Sequence, residues 1–111
     1  MGIGLKYHEL VINAINELDF FFKLDEEEKS RAYKYAERVG WVMARPSTIA
    51  IVVLKLSKPK LQFCEIRKFC NTNVQTLKPW IVKCGRKLKI AQPMIRAILE
   101  EDGINNNNTK V

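Results

Sequence analysis

The residues of this chain best suited to chemistry are its bases, and the chemistry they suit is the holding of a polyanion. Between Lys55 and Arg96 there are eleven Lys and Arg residues and one acid, Glu65, a local net of +10. Between Met1 and Leu54 seven bases face eight acids, a net of −1. A basic half on an otherwise near-neutral chain is the electrostatic footprint of a phosphate binder. The reading set against it is a solvated, Lys-rich surface with no ligand. The bases fall at helical spacing within "QFCEIRKFCNTNVQTLKPWIVKCGRKL", residues 62–88. Lys78, Val82 and Arg86 step by four along one side, Lys83 and Lys87 lie on the next strip, and Lys89 extends the patch. Lys58 and Lys60 stand just before this stretch. A lysine on a phosphate supplies affinity but little sequence information, whereas Arg86 can read guanine bidentately. Gln75 and Asn73 are placed either to touch base edges or to serve only as turn residues.

Other chemistries lack their residues. His8 is the single histidine, and no Ser–His–Asp grouping, glycine-rich phosphate loop or paired carboxylate in an apolar setting is visible. No enzyme and no cofactor are expected. The cysteines Cys64, Cys70 and Cys84 form no CxxC pair, so no zinc site is expected, and they read as small buried hydrophobes. No apolar run reaches the roughly 18 residues of a membrane span. The start "MGIGLKYHEL" lacks the order of a signal peptide. Lys6 stands where a myristoylation signal needs Ser or Thr. A cytoplasmic location, or a nuclear one in a eukaryote, is expected, with no membrane partner.

The elements that must position the bases are helical. The 111 residues, 47% of them apolar, suit one domain over residues 1–103 with a disordered polar tail over 104–111. No strand alternation is sustained, and the spacing predicts an all-α bundle of five or six helices. The first runs from about Lys6 to Phe22, with Leu10, Val11, Ala14, Leu18 and Phe21 on its core face. Asp25 caps the second, Glu28 closes a capping box, and Gly40 stops it. This explains the acidic run Glu26, Glu27, Glu28 without a metal or catalytic site. The third begins at Pro46 or Ser47 and is apolar nearly all round, hence buried. The fourth spans about Leu61 to Cys70, with Phe63, Ile66 and Phe69 or Cys70 inward. The fifth starts near Thr76 as its cap, which places Pro79 harmlessly in the first turn. Its core strip is Leu77, Ile81, Cys84 and Leu88. A sixth runs from about Gln92 to Glu101 and uses Met94, Ile95, Ile98 and Leu99. Trp41, Trp80 and the Phe20–Phe22 cluster read as core, with a partner-binding groove as the alternative.

The order of these features resembles one cyclin-box repeat of the archaeal and eukaryotic transcription factor B family. Such repeats are five-helix bundles with a buried third helix, whose place is held here by "ARPSTIAIVVLKLS". Their fourth and fifth helices form a helix-turn-helix, matched in pattern by "CEIRKFCNTNVQTLKPWIVKCGRKL". The likeness covers roughly residues 8–90. It implies a cyclin-box-like fold that sets the fifth helix near the major groove of double-stranded DNA. Lys78, Lys83, Arg86 and Lys87 would then be contacts, with Gln75 and Thr76 at the start of the recognition helix. It also implies a protein partner in the transcription machinery. The family's zinc ribbon and second repeat have no counterpart here, and Ile and Val replace Ala in the third helix. The alternatives carried forward are a cyclin-like module for an acidic or helical protein partner, and an RNA-binding module.

Overall fold

The chain forms helices where its caps and prolines let one start. The computed structural model describes residues 2–40, 42–70 and 72–100, with all their side chains except those of residues 2–6 and 69. Within them lie α1 (Gly2–Phe22), α2 (Glu26–Val39), α3 (Pro46–Ser57), α4 (Phe63–Phe69) and α5 (Val74–Lys87). Residues 92–100 form α6. No strand occurs among the described residues, so the all-α bundle predicted from the spacing is the fold found. Trp41, the side chain of Phe69 and the predicted tail lie outside what is described.

The bundle is built around α3. Every residue from Ile49 to Ser57 is buried, as an element apolar on all sides must be. α1, α2 and α5 all pack on it, and α1 and α2 also pack on each other. Pro46 sits in its first turn, and Lys58 terminates it. The α2 start is also as predicted. Glu28 N–H donates to Asp25 Oδ1 at 2.7 Å, and Asp25 N–H donates to Glu28 Oε1 at 3.0 Å. Gly40 ends that helix at φ +66°, a conformation that costs glycine little.

The core face of α1 keeps Val11 and Leu18 of the predicted one but not Leu10 or Phe21. Tyr7, Val11, Ile15 and Leu18 are buried, whereas Leu10 is 47% exposed and Phe21 50%. The helix carries two apolar strips, and only one can meet α3. The strip through Leu10, Ala14 and Phe21 also contains Glu17, whose carboxylate is expensive to bury. The strip through Tyr7, Val11, Ile15 and Leu18 is free of charge, and it faces inward.

α5 is capped three residues before the predicted Thr76. Asn73 is the cap, and its Oδ1 accepts from Gln75 N–H at 2.9 Å. Pro79 therefore lies inside the helix instead of in its first turn. It leaves the Gln75 carbonyl without the usual backbone donor one turn on. The core strip is as predicted, with Leu77, Ile81, Cys84 and Leu88 buried, and Val74 extends it. Gly85 is buried on the same side, and a Cβ built there would lie 2.6 Å from Ile95 Cδ1. The missing side chain is what lets α6 approach. Ile95 and Ile98 of α6 are buried, while Met94 is 36% exposed.

Several bases act inside the fold rather than on its surface. Arg31 of α2 donates to Ser57 O at the end of α3, at 2.8 Å. Lys58 reaches Phe22 O at the end of α1, at 3.4 Å, and lies 3.6 Å from Glu28. Lys87 of α5 donates to Val39 O at the end of α2, at 2.7 Å. Each brings a cation to a helix C-terminus, where the last carbonyls are unpaired and the helix dipole favours positive charge. Lys55, inside α3, is fully buried. Its Nζ donates to Pro59 O at 3.0 Å and to Leu61 O, and lies 4.7 Å from the centre of the Phe63 ring. It holds the connection between α3 and α4 in shape.

Candidate nucleic-acid interface

The outward side of α5 follows from its inward one. With Val74, Leu77, Ile81, Cys84 and Leu88 in the core, the residues turned away are Gln75, Thr76, Pro79, Lys83, Arg86 and Lys87, all exposed. Lys78 and Val82, expected beside Arg86, are half-buried on the flank. Lys83 lies over the Trp80 ring, 4.9 Å from its centre, which steadies a long side chain at the surface. Lys89 is exposed in the turn after α5 and takes φ +59°. The uncharged part of the face is its N-terminal end, Gln75, Thr76 and Pro79, and the cationic part runs from Lys83 to Lys89.

The structure divides the nine predicted contacts. Gln75, Thr76, Lys83, Arg86 and Lys89 stand together along α5 and its following turn, with Lys78 half-buried on the flank. Lys87 shares that side, but its ammonium is tied to the Val39 carbonyl. Lys58 is half-buried and engaged with Glu28 and the end of α1. Lys60 lies with Lys58 in a different place, a groove bordered by Phe21 and Phe22 at the end of α1. Their sequence position before α4 gave no sign of this, because the direction of the α3–α4 connection is set by buried Lys55. Three further bases of the basic half, Lys55 to Arg96, are exposed among the described residues. Arg67 and Lys68 are on α4, and Arg96 is on α6. Their spacing opposite Phe63, Ile66 and Ile95 was the available signal. Lys55, counted in the basic half, contributes nothing to the surface.

α4 has seven residues, and the principal packing of α5 is on α3 and α2.

The cysteines differ from their expected uniform burial. Cys84 is buried and Cys70 half-buried, but Cys64 is exposed, because Phe63 and Ile66 take the inward positions of the short α4. Burial pushes the Cys84 thiol up from the ordinary 9.0 to about 11, against the opposing pull of Lys87. Two outcomes follow. At pH 8 a colorimetric thiol reagent should label Cys64 in the native protein at once and Cys84 only after unfolding. The unfolded thiol ionises first, so Cys84 should draw stability from the fold as pH rises from 9 towards 11, measured by urea melts across that range.

Among the described residues no three His, Cys, Asp or Glu side chains stand close enough together to hold a metal ion. Among the same residues no helix is long and apolar enough to cross a membrane. No family model, curated protein or solved structure matches the chain.

Proposed function

We propose that this chain is a DNA-binding module rather than an enzyme, one that rests the outward side of α5 on duplex DNA in the service of transcription. The observation that carries this reading is the exposed run of Lys83, Arg86 and Lys89 on the side of α5 away from the core. Glu65 is the single acid between Lys55 and Arg96 to oppose it. Phosphate contacts from such a run need no particular sequence. Arg86, Gln75 and Thr76 are the groups on this face able to meet base edges. So few readers give weak sequence preference alone, and dimerisation or a partner protein of the transcription machinery would supply the rest. The cyclin-box likeness of residues 8–90 supports the same reading. The Arg/Ser/Pro-like start and buried third helix of that likeness fall on Arg45, Pro46, Ser47 and α3. In that reading α4 and α5 would be the helix-turn-helix.

The test is fluorescence anisotropy of a labelled duplex, titrated at several salt concentrations. Native protein should bind with an affinity that falls steeply as salt rises. The double variant Lys83→Glu/Arg86→Glu should bind about tenfold more weakly or worse, with the salt slope reduced by about 2. Lys87→Met should act differently, losing about 1 kcal/mol of stability with the Val39 bond while affecting binding less. Unchanged duplex affinity in the folded double variant would remove α5 as the contact.

A further inference from the structure

The duplex reading leaves one face of the near-neutral half unused. The strip of α1 that does not turn inward carries Leu10, Ala14 and Glu17, at steps of four and three along one side of the helix. Ala14 and Glu17 border a groove of about 340 Å³ between α1 and the start of α3. Leu18 and Ile51, both buried, form its floor, and Arg45 borders it from the α3 side. Leu10, one turn before Ala14, continues the apolar strip beyond the groove. Glu17 and Arg45 are both exposed, and neither makes an ion pair among the described residues. The groove thus offers one anion, one cation and an apolar floor.

We infer that this groove and strip join two copies of the chain about a two-fold axis, with Glu17 of each protomer set against Arg45 of the other. In a two-fold contact one patch meets itself, so each contact between two different residues is made twice. A patch with one unpaired acid and one unpaired base is therefore complementary to its own copy. Charge also selects this half of the chain. Residues 55–96 repel their own copy, whereas residues 1–54 carry a net of −1. Among the described residues, the exposed large hydrophobics Leu10, Phe20, Phe21 and Met43 fall in the near-neutral half, against Met94 in the basic one. The apolar strip supplies the affinity, since exposed ion pairs contribute little, and the two ion pairs set the register. None of the α5 contact residues lines this groove, so both duplex faces stay open. The pairing itself does not need the duplex reading. Its use rests on that reading, because two α5 faces related by a two-fold axis suit an inverted repeat of half-sites.

The experiment is sedimentation velocity of the full chain, without nucleic acid, from low to high micromolar protein. Native protein should pass from the mass of one chain to that of two. Glu17→Arg alone and Arg45→Glu alone should each weaken the dimer by about tenfold or more, because each sets like charges together. An equimolar mixture of these two variants should pair as the native chain does, since both ion pairs return with their signs exchanged. A purely structural role for either residue would not give that rescue. Both side chains are exposed, so circular dichroism should show native helix content in each variant. Leu10→Gln should weaken the dimer by about tenfold, the lost apolar contact being counted twice. Lys83→Glu/Arg86→Glu, which tests the duplex face, should dimerise like the native chain. A native chain that stays monomeric at every concentration would overturn the inference and leave the groove to a helix of another protein. If that monomer still bound duplex, the duplex reading would stand without it. A native dimer that neither charge variant weakens, or a mixture that stays monomeric, would overturn the inference too.

Discussion

Replacing Lys55 by Ala should destabilise the protein by about 3–5 kcal/mol, enough to leave a marginal domain largely unfolded. Two losses combine. The side chain is fully buried, so truncation opens a void in the middle of the core helix. The Pro59 and Leu61 carbonyls also lose the ammonium they share, and an acceptor stranded away from water costs about 1–3 kcal/mol. Lys55→Met separates the two, because it keeps most of the volume and the contact with Phe63 but none of the donors. Its expected loss is about 2 kcal/mol. Urea unfolding followed by circular dichroism measures both. A methionine variant as stable as the native chain would mean that the ammonium offsets only its own desolvation, as buried charges sometimes do.

The second large effect is expected at Gly85. A Cβ there would sit 2.6 Å from Ile95 Cδ1 and 3.1 Å from Ile95 Cγ1. Ile95 is itself 2% exposed, so its branched end has little room to withdraw. Gly85→Leu should therefore cost about 3 kcal/mol and push α6 off α5. Gly85→Ala is the finer comparison. Alanine gains about 1 kcal/mol of helix propensity, and the clash takes back somewhat more, for a small net loss. Ile95→Ala should rescue part of the Gly85→Leu defect, because it opens the space the new side chain needs. Stabilities of the two single variants and the double variant give the coupling directly. Additive losses would mean that the two residues do not meet.

What could be read from the sequence was what local chemistry decides alone. Asp25 with Glu28, Pro46, Gly40 and the strip Leu77–Ile81–Cys84–Leu88 each carry a signal within a few residues, and each stands where that signal puts it. The misreadings arose where two local solutions were equally good. α1 offers two apolar strips, and the choice between them belongs to α3. Asn73 and Thr76 are both competent caps, and burying Val74 favours the earlier start. At the candidate interface, the direction of the α5 face was legible because it is the complement of a core strip. The fate of individual bases was not. Lys58 and Lys87 look like surface lysines until the ends of α1 and α2 come within their reach. Lys55 did leave a trace, as the single charge in the otherwise apolar run from Ile49 to Leu56.

The bases engaged with backbone carbonyls give the folded and unfolded chains different valences. Arg31, Lys55, Lys58 and Lys87 are occupied with backbone carbonyls in the fold, and unfolding returns all of them to solvent. A long, flexible polyanion that follows charge without needing a shaped surface will therefore prefer the open chain. By mass action it should pull the equilibrium that way. Heparin is expected to lower the Tm in scanning calorimetry, by an amount that shrinks as salt is added, whereas a duplex seated on α5 should raise it. The same class of charge would thus act as ligand or denaturant according to its stiffness.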